Sequence, residues 1–228
     1  MVASDGKSRD MTGGACAMYD GVGRPFMFGC RTNGALVWDT LRAQYGMGKD
    51  DYAPAENALQ QALPGQNLLF WQPRNESYPP SGSFKLIRIG KDTGDLVGDY
   101  SGLVESSLAA VYYHSKSFSK LATTPLYITG GATSSLGVMR RIAAIWDRPV
   151  ALSGKGGAAL GAAVAGVSAY MKSTGEKFNV EDFSTAVLPR GKIIDPIKED
   201  VAAFHKQGGY LDRFAAEEAR LIEKYPLG

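Results

Sequence analysis

Apolar spacing between positions 125 and 146 changes period halfway. Leu126, Tyr127 and Ile128, bounded by Pro125 and by Gly130-Gly131, predict a short buried strand; Val138, Ile142 and Ile145, at intervals of four and three, predict an amphipathic helix after it. Thr133, Ser134 or Ser135 is placed to cap that helix. Upstream, residues 2–4 read as the tail of a strand and 5–10 as a polar turn. Residues 15–19 and 25–30 predict two strands joined by the hairpin turn Asp20-Gly21-Val22-Gly23. A helix is predicted from about Asn33, with Leu36, Val37, Thr40 and Leu41 as its inner stripe; Gly46-Met47-Gly48 ends it, and a more polar helix follows over 54–62.

Further along, residues 68–71 and 84–89 predict strands. Between them 72–83, with Pro73, Pro79, Pro80 and Gly82, reads as an exposed connection tolerant of insertions. Val104, Leu108, Val111, Phe118 and Leu121 predict a long helix over 100–121. A strand over 149–152 and a helix over 156–170 come next, then a connection over 173–196, and Leu211, Ala215, Ala219, Ile222 and Tyr225 mark a terminal helix. Strands and helices in alternation predict one α/β domain with an antiparallel opening and a parallel-leaning core.

Composition narrows this only a little. A chain of 228 residues with 44% hydrophobic content can bury a substantial core. Its 25 basic and 23 acidic residues give a net charge of +2 with no basic run, so neither a nucleic-acid footprint nor any other charged partner is indicated. The longest uncharged stretch, residues 156–171, is too short and too rich in Gly and Ala to span a bilayer. The presence of only two cysteines, Cys16 and Cys30, and the lack of a leader-like start make a reducing cytoplasm the expectation.

The Gly130-Gly131 corner carries the chemistry. Two residues without Cβ let a ligand approach the backbone, and the free N–H groups and positive end of the following helix suit an anion, phosphate above all. Such corners also occur with no ligand, and the residues alone leave both readings open. Gly6-Lys7-Ser8 resembles the end of a P-loop, but the first glycine of that motif would fall on Met1. Gly154-Lys155-Gly156-Gly157-Ala158-Ala159 fits G-x-G-x-x-A between a predicted strand and helix, which makes a dinucleotide-binding (Rossmann) domain an alternative. Against it, Glu176 and Asp182 fall in connection-like sequence, not at the end of a second strand. The same run of small residues leaves a helix face flat enough for a sheet or for an adenine ring. His114 and His205 lack the spacing of metal ligands, and Asp92, Asp95 and Asp99 lack that of a calcium loop and read as a solvated turn. No Ser-His-Asp or Cys-His set can be defended.

Taken together these segments resemble the C-terminal half of the FGGY family of carbohydrate kinases, and within it the xylulokinases most closely. Thr129-Gly130-Gly131-Ala132-Thr133 and Trp146-Asp147-Arg148-Pro149-Val150 are similar to the family's "TGGAS…ADVFDAPV" stretch. Ala158-Ala159-Leu160-Gly161-Ala162-Ala163 is similar to its "ALGAA" helix start, and DLVGDYSGLVESSLAA, from Asp95 to Ala110, to its second signature. Glu105 fits the acidic position of that signature, whereas Ser106 stands where the family has Gly and is given no role. Arg31-Thr32-Asn33-Gly34-Ala35-Leu36 resembles the "NGSL" segment of eukaryotic-type xylulokinases.

The resemblance implies a ribonuclease-H-like, actin-like ATPase domain: an α/β fold with a mixed sheet and helices on both faces, the second half of a hexokinase-actin type two-domain kinase. Residues 1–228 would be that single nucleotide-binding domain, with the N-terminal sugar-binding domain missing. By carry-over Gly130, Gly131 and Ala132 would lie against the phosphates and sugar of ATP or ADP, with Ser135 nearby and Gly161 beside the adenine. The complete enzyme would phosphorylate a ketopentose, D-xylulose to D-xylulose 5-phosphate, using Mg2+, with the sugar in the interdomain cleft. The family's catalytic aspartate belongs to the first domain. Asp5 and Asp10 come too late to replace it, so no catalytic residue and no metal ligand is assigned and the chain alone is expected to be inactive. Its exposed cleft face would favour self-association. A non-catalytic actin-like nucleotide-binding module is the competing class.

Overall fold

The computed structural model describes residues 2–3, 14–116, 118, 125–153, 157–187 and 191–228. The polar turn over 5–10, Asp5, Asp10, Gly6-Lys7-Ser8, Leu121 and Gly154-Lys155-Gly156 lie outside the described residues.

Strands β1 (Val2–Ala3), β2 (Cys16–Tyr19) and β3 (Pro25–Phe28) form an antiparallel sheet with β3 in the middle. The predicted hairpin closes because the Asp20 carboxylate accepts from the Val22 and Arg24 amides, while Gly23 supplies a φ of 86°. Cys16 and Cys30 are free and exposed.

Helix α1 (Ala35–Gln44) turns a different face inward from the one its sequence predicts. Val37, Trp38, Leu41 and Arg42 are buried, whereas Leu36 is 71% exposed and Thr40 faces solvent. Trp38 donates to Ser107, and the Arg42 guanidinium donates to the carbonyls of Gly48, Lys49 and Asp51. A large ring and a long stem whose head donates to three carbonyls outweigh one leucine in setting the helix rotation. Helix α2 (Ala53–Gln61) follows, with Pro54 in its first turn.

Strands β4 (Leu68–Gln72) and β7 (Phe84–Ile89) pair antiparallel, and the intervening segment corrects the expected exposed connection. It folds into the short pair β5 (Glu76–Ser77) and β6 (Pro80–Ser81), with Glu76, Tyr78 and Ser81 buried. Its polar residues serve inward. Glu76 accepts from the amides of Thr32 (2.6 Å) and Asn33 (3.0 Å) and from the Asn33 side chain, with Arg31 at 3.4 Å. Burial pushes the Glu76 carboxyl up, but Arg31 and these amides outweigh it and hold it below its ordinary value of 4.5. The stabilisation it provides is therefore present above pH 4.5 and lost as the pH falls through the lowered folded value. Glu76→Ala is expected to cost about 3 kcal/mol in urea unfolding at pH 7, with a smaller deficit at low pH where the wild-type carboxyl is protonated.

Helix α3 (Leu96–Ser115) begins earlier than predicted because Asp95 caps it, accepting from the Gly98 amide at 2.8 Å. Asp99 is not solvated as expected. It is wholly buried and accepts from Arg88, the Tyr45 hydroxyl and the Gly94 amide. A Cβ on Gly102 would come within 2.7 Å of Leu69 Cδ1, so the glycine lets α3 lie flat on β4.

Strand β8 (Leu126–Ile128) is half-buried and not buried as expected, with Tyr127 facing solvent; it runs parallel to β9 (Val150–Leu152), and β10 (Ile193–Ile194) runs antiparallel on the other side of β9, so this sheet is mixed. Helix α4 (Leu136–Trp146) joins β8 to β9 and is nearly all buried. Helix α5 (Gly157–Ser173) follows β9 and buries only Val164 and Ser168. The span expected to be mostly connection also holds α6 (Val180–Val187) and β10. Helices α7 (Lys198–His205) and α8 (Tyr210–Lys224) complete the chain. The buried face of α8 is Tyr210, Phe214, Glu218 and Leu221, one position from the predicted stripe. Phe214 stacks on Phe70 with centroids 5.4 Å apart and Tyr210 meets Phe204 at 5.2 Å, so aromatic volume sets this rotation too. One core runs through α1–α4, β4, α7 and α8. Among the described residues no helix is long and apolar enough to cross a membrane.

Candidate functional site

Because β8 and β9 are parallel, the segments that leave their carboxyl ends emerge at one edge of the sheet. The first is the Gly130-Gly131 corner and the second the start of α5. They are close: the Ser153 amide donates to the Ile128 carbonyl at 2.8 Å, and a Cβ on Gly157 would lie 3.7 Å from Thr129 Oγ1. The two segments thus lie side by side although they are far apart in the chain.

The strand does not turn directly into the helix. Gly130 takes a φ of 92°, and a single 3-10 turn, Gly131–Ser134, intervenes before α4. The turn is held by the Thr133 amide (3.2 Å) and hydroxyl (2.7 Å), both donating to the Gly130 carbonyl, and by the Ser135 amide donating to Ala132. Of the three candidate caps, Ser135 is the one used; its Oγ accepts from the Val138 amide at 3.1 Å. That hydroxyl also donates to Glu56 Oε2 at 2.5 Å, and Glu56 Oε1 accepts from the Gly137 amide at 2.9 Å.

This corrects the expectation that the first-turn amides of α4 face an arriving anion. Two of them are already engaged within the protein. Among the described residues, the amides of Gly131 and Ala132, one turn earlier, and that of Leu136 donate to no protein acceptor. Gly130 and Gly131 are exposed, and a Cβ built on either would meet nothing within 4 Å. The same is true of Gly161. Gly161 lies with Gly157 and Leu160 in a groove of about 390 Å³ between α5, the β2–β3 turn and α6. A neighbouring groove of about 1190 Å³ runs along Met18, Phe26 and Phe28 to Gly157 and Ala158. Gly130, Gly131, Ala132 and Ser135 line neither groove.

Two charged residues here escaped the sequence reading. Arg24 pairs with Asp20 (2.8 Å) and reaches Glu181 (2.9 Å), spanning the groove rim. Glu56 is the other. Neither carries a local signal beyond being an acidic residue in a helix first turn or a basic residue in a hairpin, since Ser135 and Glu181, the partners that bring them to this region, lie far away in the chain. Glu105, matched to the second signature, is 1% exposed and bonded to Arg141 Nε (2.6 Å) and the Gly65 amide (3.0 Å), out of reach of a ligand. Burial pushes its carboxyl up to about 7 against the opposing pull of Arg141 and that amide. Ser106, given no role above, accepts from the Leu69 amide and bonds the Tyr210 hydroxyl, tying α3 to β4 and α8. His114 bonds Glu218, and His205 bonds the Ile145 carbonyl.

The dinucleotide alternative meets a topological obstacle. The strand after α5, β10, is antiparallel to β9, whereas that binding half needs a parallel βαβ unit.

Comparison with known proteins bears on the same segments. The C-terminal domain model of the FGGY family of carbohydrate kinases matches residues 28–170. Among solved structures, the xylulose kinase from Rhodospirillum rubrum is 19% identical with a TM-score of 0.72, covering 92% of this chain and 43% of its own. The gluconate kinase from Lactobacillus acidophilus is 15% identical with a TM-score of 0.76, covering 93% and 43%. The Plasmodium falciparum glycerol kinase with ADP is 14% identical with a TM-score of 0.67, covering 95% and 43%. The chain spans less than half the length of each. No curated protein matches the sequence.

Proposed function

Because the chain belongs to the FGGY family of carbohydrate kinases, as a C-terminal domain with the ribonuclease-H-like, actin-type α/β fold of its structural neighbours, we propose that it is the nucleotide-binding half of an ATP-dependent sugar kinase. The observation that carries this is the pair of unengaged amides at Gly131 and Ala132, beside glycines whose Cβ positions open onto solvent. Backbone N–H groups in a tight turn bind phosphate oxygens through charge-assisted hydrogen bonds, and side-chain-free surface admits the ribose and base. Gly130, Gly131 and Ala132 would hold the phosphates and sugar of ATP or ADP, and Gly161 would lie beside the adenine. Ser135, bonded to Glu56 and capping α4, would keep the turn in place.

Phosphoryl transfer needs positioning, neutralisation of phosphate charge and orientation of the attacking hydroxyl. This chain supplies the first. Glu56, the carboxylate placed at the turn, is taken up by Ser135 and Gly137, so Mg2+ would be held by the phosphates and the other domain. The whole enzyme would transfer the γ-phosphate to a ketopentose hydroxyl, D-xylulose being favoured by the likeness of residues 31–36 to the xylulokinase segment. Residues 1–228 would form one domain that acts only with the N-terminal domain bearing the general base.

Calorimetry tests the reading. Mg·ADP is expected to bind and NAD not to bind, while the chain alone gives no D-xylulose phosphorylation in a coupled assay. Binding of NAD in place of ADP would overturn the proposal. Turnover by the chain alone would remove the need for a second domain.

A further inference from the structure

Glu56 lies in the first turn of α2, yet its carboxylate is used at the start of α4, 79 and 81 residues away. Oε2 accepts a hydrogen bond from the Ser135 hydroxyl, Oε1 accepts one from the Gly137 amide, and Gln60 Nε2 donates to Oε1 at 3.3 Å. The approach is possible because residue 137 is glycine. A Cβ there would come within 2.7 Å of Leu59 Cβ and 3.4 Å of Glu56 Oε1, forcing α2 away from α4. The positive end of α4 therefore already holds an anion, and that anion belongs to the protein. A carboxylate offers two charged acceptor oxygens in the same way as one face of a phosphate, so the two compete for the same donors.

Resting on the nucleotide reading above, we propose that Glu56 is a positioning residue: an internal anion that keeps the nucleotide's phosphates off α4 and confines them to the Gly131 and Ala132 amides. It acts in two ways. It occupies the Gly137 amide and, through Ser135, backs the cap on the Val138 amide, so that of the first-turn amides only that of Leu136 is left without a protein acceptor among the described residues. Its charge also disfavours a second anion at the helix end, so a polyphosphate is stable only one turn earlier, where the amides are unengaged. The register of the nucleotide along the corner is thus set by α2, an element that the glycine motif does not include.

The test uses the full chain and inorganic phosphate as the probe. Glu56→Ala uncovers the Gly137 amide and frees the Ser135 hydroxyl to donate to a ligand. Phosphate is expected to raise the melting temperature of this variant, with an affinity about tenfold above that of the wild-type chain, while chloride at equal ionic strength does not. Glu56→Gln keeps an oxygen for the Gly137 amide, protecting the fold, but loses the charge; its phosphate response is expected to fall between the two. A carboxylate that merely caps the helix would lose stability on substitution without gaining a phosphate response. An unchanged response in both variants overturns the role of Glu56, whereas failure of the wild-type chain to bind Mg·ADP overturns the nucleotide reading.

Discussion

Gly131→Val is expected to weaken Mg·ADP binding more than about a hundredfold while leaving thermal stability nearly unchanged, since it removes two amide–phosphate hydrogen bonds of about 1.5–3 kcal/mol each. The two halves of that result come from different geometry. A Cβ at 131 meets nothing within 4 Å, and Gly131 is not among the residues with positive φ, so a valine there strains neither packing nor backbone. The isopropyl group projects instead into the open space over the turn, where it shields the Gly131 and Ala132 amides. Gly130 is a poorer probe of the same claim: its φ of 92° would strain any side chain and mix a folding defect with a binding defect. Calorimetry paired with a melting curve separates the two. Retained binding in a folded Gly131→Val chain would take the phosphate role away from the turn.

The second large effect is on stability. Arg141→Met is expected to cost about 3–5 kcal/mol, because it leaves the Glu105 carboxylate buried without its partner. Arg141 Nε bonds Glu105 at 2.6 Å, and its Nη2 donates to the carbonyls of Leu59 and Ala62, so one side chain joins α4 to α3 and to the end of α2. For a domain of this size such a loss lowers the melting temperature by roughly 10–15 °C. The pH dependence has a definite sign. Burial already raises the Glu105 carboxyl from 4.5 to about 7. A raised folded value means that the native state holds the proton longer than the unfolded chain does. Its contribution is thus fully present below pH 4.5 and is lost as the pH rises through about 7. Without Arg141 the carboxyl is pushed higher still, and the loss extends into more alkaline solution. The variant is expected to fall furthest below wild type near pH 8 and least near pH 5 in urea unfolding. Glu105→Gln in the Arg141→Met background should recover part of the deficit.

Elements with a strong local signal were legible in the sequence. The hairpin announced itself through Asp20 and Gly23, the strand–corner–helix unit through Leu126–Ile128 and the spacing of Val138, Ile142 and Ile145, and the glycine corner through its paired residues. What was misread depends on partners distant in the chain. The face of α1 is set by Trp38 reaching Ser107 and by Arg42 bracing the loop after the helix, and that of α8 by Phe214 stacking on Phe70. The segment 72–83 looked like loop because Pro and polar residues dominate it, yet Glu76 accepts from the Asn33 amide, in the turn that leads into α1, some 43 residues earlier. The candidate site divides in the same way. Gly130, Gly131 and Gly161 were visible as residues whose lack of a side chain needs a reason. Glu56 was not, because nothing local tells a solvent-facing glutamate in a helix first turn from one that crosses to another helix and takes the amides a ligand would otherwise use.

The central claim is that one nucleotide spans two segments separated in sequence, the Gly130–Ala132 turn and the start of α5. Amide chemical-shift mapping of the 15N-labelled chain during titration with Mg·ADP tests it most directly. Shifts are predicted to saturate together at Gly130, Gly131 and Ala132 and at Gly157 and Gly161, with Gly137 and Val138 comparatively still because Glu56 and Ser135 hold their amides. Shifts confined to one of the two segments, or centred on Gly137 and Val138, would contradict the account.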